Sequence, residues 1–203
     1  APRGDYEARV KLPRQYAAAC TGTAEAEEEE DGSVLWVLRG ENLQDFALSV
    51  SRVWRESARK TDSGVELRAL TNVRGAAGAV LDILEEAVAA CEEWFGPLPG
   101  GRLDAVQSGY ALGQMDFQGM IWLSEELLSG SRDELRHALY RGVARQYFGL
   151  ASRAEPVTDA WLSDALCEHA AYLLLERARG EDAMLERLRR DVLPSLQITI
   201  PGN

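Results

Sequence analysis

The chain has 203 residues, enough for one sizeable hydrophobic core or two small ones. Its 22 basic and 33 acidic residues leave a net charge of −11 with no basic run, which excludes a nucleic-acid binder, since such proteins need a basic footprint. No apolar run approaches the roughly 18 residues needed to span a bilayer, so no transmembrane segment is expected.

The opening Ala1-Pro2-Arg3-Gly4-Asp5 has neither an initiator Met nor the apolar core of a signal peptide, and "YEARV" reads as a strand already under way. A piece of a longer protein is the expectation. "DYEARVKLP" alternates and stops at Pro13. Six acids, Glu25 and residues 27–31, then fall in one run, and removing them leaves 27 acids against 22 bases. The acidity is therefore largely one self-repelling, solvated hairpin tip. "SVLWVLRG", "DFALSVS" and "GVELRALT" continue as strands with turn residues between them. From Gly75 the period changes, and "GAAGAVLDILEEAVAACEEWFG" reads as a helix stopped at Gly96-Pro97. "GRLDAVQSGY" and, after a glycine-marked loop, "GMIWLSEE" return to strand. Helices follow over residues 131–148, 159–179 and 181–193, the last stopping at Pro194, and "LQITIPGN" forms a strand-like tail. Residue 131 is a serine, with Asp133 and Glu134 in the first turn where the helix dipole favours acids. The order is β-rich to about residue 70, then mixed, then helical, which points to an α+β fold. Cys20, Cys91 and Cys167 are odd in number and widely spaced, and are expected as buried free thiols.

Two helices carry the charged residues of interest. On a wheel of about 100° per residue, Arg145 lies about 40° from Arg141, with Glu134, His137, Ala138 and Phe148 within about 60°. Leu135, Leu139 and Val143 form the opposite, apolar stripe. On the next helix Asp164 and Glu168 are one turn apart on a common face, with Trp161 and Ala171 alongside. Packed as an antiparallel pair, the helices bring two carboxylates opposite two guanidiniums, an arginine–carboxylate cluster. Its alternative is an ordinary set of solvated surface charges.

These helices resemble those of the aminopeptidase-N-like zinc peptidases, gluzincins with a thermolysin-like domain. That family carries H-E-x-x-H on one helix and a glutamate ligand eighteen residues on, in a W-L-x-E-G motif. Gln146-Tyr147-Phe148-Gly149 is similar to the Gln-Trp-Phe-Gly after the second histidine, and Trp161-Leu162-Ser163-Asp164-Ala165 to the ligand motif. Glu92-Glu93-Trp94-Phe95-Gly96-Pro97 resembles the family's E-x-W-F-G-P segment, followed by Leu103-Asp104-Ala105-Val106. Gly113-Gln114-Met115-Asp116-Phe117-Gln118-Gly119 resembles its substrate loop G-G-M-E-Y-P-G, and "DFALSVS" the handover from its amino-terminal β domain.

The resemblance implies that residues 1–63 end an amino-terminal β domain and residues 64–203 begin a thermolysin-like peptidase domain. It also implies zinc, which the residues here oppose. Arg141 and Arg145 stand where the histidines would, Gly142 where the general-base glutamate would, and Asp164 at the third ligand. An arginine does not deprotonate to ligate a metal, and Gly142 leaves no carboxylate to activate water. No zinc and no other cofactor is expected. A displaced site built from His137 with Asp164 or Glu168 is disfavoured because His169 lies about 140° from Asp164. The resemblance further places Asp116 where an acid reads the amine of a peptide, with Gly113 and Met115 beside it and "GMIWLSEE" as a peptide-pairing edge. Asp116 as a plain turn residue beside a covered edge is the alternative.

The expectation is thus a catalytically inactive, metallopeptidase-like module for scaffolding or for binding a peptide or protein. The alternatives are an active zinc aminopeptidase whose ligands lie elsewhere or outside this piece, and a purely structural domain. A partial catalytic domain would expose core surface through which copies could associate. The family likeness points to a parent protein outside the cytoplasm or at a membrane.

Overall fold

The computed structural model describes residues 3–109, 112–150 and 160–196. The chain is α+β. Seven strands come first: β1 (Gly4–Pro13), β2 (Ala17–Cys20), β3 (Thr23–Glu28), β4 (Ser33–Leu43), β5 (Leu48–Ser51), β6 (Arg55–Lys60) and β7 (Glu66–Thr71). Helix α1 (Ala76–Phe95) crosses to β8 (Arg102–Gln107), followed by β9 (Gln114–Phe117) and β10 (Met120–Leu123). Then come α2 (Glu125–Ser129), α3 (Arg132–Arg145), a π turn (Gln146–Leu150), α4 (Ala160–Arg179) and α5 (Glu181–Leu196). No described helix is long and apolar enough to cross a membrane.

The strands make an antiparallel sheet ordered β1-β4-β3, a two-stranded ribbon β2-β5, and a five-stranded mixed sheet ordered β6-β7-β8-β10-β9. β7, β8 and β10 run parallel, and the outer strands β6 and β9 run antiparallel to their neighbours. One face of this sheet presents Leu67, Ala69, Leu103, Ala105, Ile121 and Leu123 to α1, α3 and α4, whose Val80, Leu84, Leu139, Val143 and Leu174 complete the main core. The other face presents Leu70, Val106 and Met120 to Ala19 and Ala47 near the ribbon. Both faces of the sheet are thus covered.

Several expectations need correction. The acidic run is not all hairpin tip: Glu25, Glu27 and Glu28 pair with β4, and the turn is residues 29–32. Side chains alternate along the strand, so Glu25 meets Arg39 across the sheet (2.9 Å), while Glu28 meets Arg14 and Asp31 meets Lys11 (2.8 Å each). The β6 sequence "RESARK" is charged with no apolar alternation, because it is an exposed edge. The glycine-marked loop before residue 119 contains β9, and "GMIWLSEE" leaves the sheet after Leu123, where Ser124 caps α2 through its hydroxyl. α3 gives way to a π turn at Gln146, and α5 runs past Pro194 to Leu196. The tail expected over 196–203 lies, beyond Leu196, outside the described residues. The three cysteines are buried and free, as expected.

The centre of the large sheet holds a charge. Asp104 on β8 is buried (side chain 1% exposed) and receives two bonds each from Arg68 (2.9 and 2.6 Å) and Arg102 (3.0 and 2.5 Å). Burial pushes this carboxyl up, but the two guanidiniums outweigh it and hold it below the ordinary range. A carboxyl lowered in the folded state stabilises fully above its unfolded value, about 3.9, and ceases to as pH falls through the folded one. The thermal midpoint should therefore drop as pH falls from about 5 to 3. D104N should start lower and fall less steeply in that window, and equal slopes would contradict this origin.

Candidate functional site

α3 and α4 pack as an antiparallel pair: His137 meets Glu168 and Arg145 meets Asp164. On α3, Leu135, Leu139 and Val143 are buried as the apolar stripe requires. The flank of this same face, at Gly142, is seated against side chains of β9 and β10. A Cβ at Gly142 would stand 2.6 Å from Ile121 Cδ1, 2.7 Å from Gln114 Nε2 and 3.0 Å from Asp116 Oδ1. A side chain there would require the side-chain ends of Ile121, Gln114 and Asp116 to shift. One turn on, buried Gln146 locks the contact. Its amide donates to the carbonyls of Phe117 and Gly142 (3.2 Å each), and its oxygen accepts from the Gly119 amide at 2.8 Å.

This seating draws Asp116 under the arginines. Asp116 lies in strand β9 rather than in a turn, its side chain only 4% exposed, and Gln114 donates to its Oδ1 at 2.6 Å. Arg145 Nε stands 3.5 Å from Asp116 Oδ2, and Arg145 also holds Asp164 on α4. Burial lifts the Asp116 carboxyl above its ordinary range against the donation of Gln114 and the two arginines. Gly149 belongs to the same seat, since a Cβ there would approach Arg145 Cγ to 2.9 Å. The cluster is therefore anchored by Asp116, and Asp164 is its solvent side, with 60% of its side chain exposed.

Above these residues lies a cavity of about 420 Å³ lined by Gln114, Met115, Asp116 and Phe117 together with Gln44, Asp45, Arg141, Arg145 and Ser163. Every residue of β9 faces it, and among the described strands β9 is paired on one side only. β9, not the stretch from residue 119, is thus the edge. Gly113 lines a neighbouring cavity instead, and its carbonyl accepts from the Ser124 amide at 2.8 Å.

His137 and Glu168 form a separate pair, Nε2 to Oε1 at 2.6 Å. Burial raises the Glu168 carboxyl, but His137 and then Arg141 more than offset this and leave it below the ordinary range. Asp191 of α5 completes a trio of donor atoms within 4.8 Å of one another. The surroundings oppose a cation there. Asp191 already accepts from Arg187 Nε at 2.6 Å and from the Tyr172 hydroxyl at 3.2 Å, and Arg141 stands 4.0 Å from Glu168. His169 is exposed and outside the group.

The positions that would build a zinc site do not fit one. Arg141 and Arg145 bring fixed positive charge, Gly142 carries no acid, and Asp164 is engaged by Arg145. Nucleophiles are also spoken for. The Ser163 hydroxyl donates to the Phe148 carbonyl at 3.2 Å, and burial pushes the Cys167 thiol up to about 11.

Sequence reasoning missed Gln44, Asp45 and Ser163, which reach the cavity from elsewhere in the chain. It also missed Gln146 as the clamp, although Gln146 lies in a quoted motif. No protein-family model matches the chain, and no curated protein matches it.

Breaking a buried ion pair by removing one partner costs about 3–5 kcal/mol. Arg145 is a quarter exposed, so Arg145→Met, measured by denaturant unfolding, should cost about 2 kcal/mol or more. A loss well under 1 kcal/mol would make the cluster an ordinary solvated set of charges.

Proposed function

We propose that the chain is a catalytically inactive module built on an aminopeptidase-N-like, thermolysin-like scaffold, whose cleft takes an extended peptide along β9. The observation that carries this reading is the cavity lined by the whole of an edge strand. A strand with one free side offers backbone donors and acceptors to a second chain, and the cavity gives its side chains somewhere to go. At about 420 Å³ it falls within the range of ligand clefts, roughly 300–1,000 Å³.

The chemistry of the walls argues for holding over cutting. Hydrolysis of an amide needs an activated water or nucleophile and a group to move its proton. Where the family likeness would put the base, there is Gly142 under a strand. Where it would put the metal, Arg145 bridges Asp116 and Asp164. The guanidinium supplies the counter-charge those carboxylates need without ligating anything.

The test is hydrogen exchange of the intact chain with a millimolar N-acetylated valine–threonine pentapeptide ending in a free carboxylate. Exchange across residues 113–119 should slow, with the buried strand β8 unchanged. No protection of that segment at saturating peptide would remove the peptide-cleft reading.

A further inference from the structure

We propose that the cleft is read by charge, with Arg141 receiving a carboxylate of the bound peptide. The inference rests on the peptide-cleft reading above and names the chemistry that this cleft selects.

The two cavity arginines are not equivalent. Arg145 is ion-paired internally, between Asp116 and Asp164, although its Nε, like that of Arg141, makes no hydrogen bond. Arg141 is not so held. Its nearest carboxylate is Glu168, at 4.0 Å, beyond hydrogen-bond reach, and Glu168 is already bonded to His137 at 2.6 Å. The Arg141 Nε is buried with no hydrogen-bond partner, while two-fifths of the side chain remains exposed on the cavity wall. A guanidinium with its donor fork free, one end desolvated and the other open to a cleft, matches a carboxylate bidentately.

The other ionised groups along the wall set the charge of the partner. Asp116 is committed to Gln114 and Arg145, and Asp45 is exposed and screened by water. One unspent positive charge flanked by two carboxylates suits a single negative charge better than a dianion. The carboxylate has two sources, a peptide's carboxy terminus or an internal glutamate or aspartate. Both present the same two oxygens.

Three N-acetylated valine–threonine pentapeptides separate these cases: one with a free terminal carboxylate, one carboxamide, and one carboxamide in which an internal threonine is replaced by glutamate. Dissociation constants come from nuclear magnetic resonance titration of the intact chain. At least one carboxylate-bearing peptide should bind about tenfold or more tighter than the neutral carboxamide. Which one does so identifies the source. Arg141→Gln should bring that peptide to the neutral level, and Arg141→Lys, which keeps the charge and loses the fork, should fall between. Both variants should melt with the parent, since Arg141 has no carboxylate closer than 4.0 Å. Equal binding of all three peptides, or a preference that survives Arg141→Gln, would overturn this inference and leave the peptide cleft standing. Binding of none of them would overturn both.

Discussion

The close seating of α3 on the β9–β10 hairpin determines what the rest of the site can be. At Gly142 the helix meets the side chains of Ile121, Gln114 and Asp116 so closely that a Cβ would displace them, and Gln146 ties the same helix to both ends of the turn between the two strands. With that distance fixed, Asp116 is carried beneath the helix and out of water. A carboxylate so placed needs a positive neighbour, because burying a charge without one is costly. Arg145, one turn along from Arg141, meets that need, and Gly149 leaves its side chain room to lie flat. Glycine, arginine and glutamine on one helix are thus parts of one packing solution.

The same arrangement separates the polar groups into two sets with different duties. Asp116, Arg145 and Asp164 are ion-paired to one another and form a floor. Arg141 stands beside that floor with part of its hydrogen-bonding capacity unused. Around the corner of α3, His137, Glu168, Tyr172, Asp191 and Arg187 join three helices through a chain of bonds. Arg187 also holds Glu134 at 2.8 Å, so α5, which packs on α4, is fastened to α3 by charge. Asp104 does for the sheet what Arg145 does for the cleft. Each sets an opposite charge beside a buried one, but the two guanidiniums outweigh burial at Asp104 and do not at Asp116.

Much of this was legible from residue patterns. The alternation and length of the apolar runs located the long strands and α1, and the Leu135–Leu139–Val143 spacing identified the buried face of α3. The 3.6 period correctly put Arg141 and Arg145 together, and Asp164 with Glu168. What periodicity cannot report is distance between elements. Asp116 read as a loop residue because the five residues between Gly113 and Gly119 carry too little pattern to announce a strand, and only the sheet partner β10 makes four of them one. The pairing also came out rotated: Arg145 reaches both Asp116 and Asp164, and Glu168 turns to His137. Asp191 and Gln44 enter from segments far along the chain with no motif to mark them, and Asp45 opens "DFALSVS", whose likeness said nothing of a cleft. The acidic run misled for the opposite reason, since its counter-charges sit on neighbouring strands.

The proposed reading turns on guanidinium–carboxylate pairing at Arg145, where the proposed peptidase-like scaffold would carry a metal. Elemental analysis of protein purified without chelators or metal-affinity steps, before and after dialysis against zinc, tests it directly. The account predicts near-zero zinc in both samples. Close to one zinc per chain would contradict it, and would point to His137, Glu168 and Asp191 as the donors to replace first.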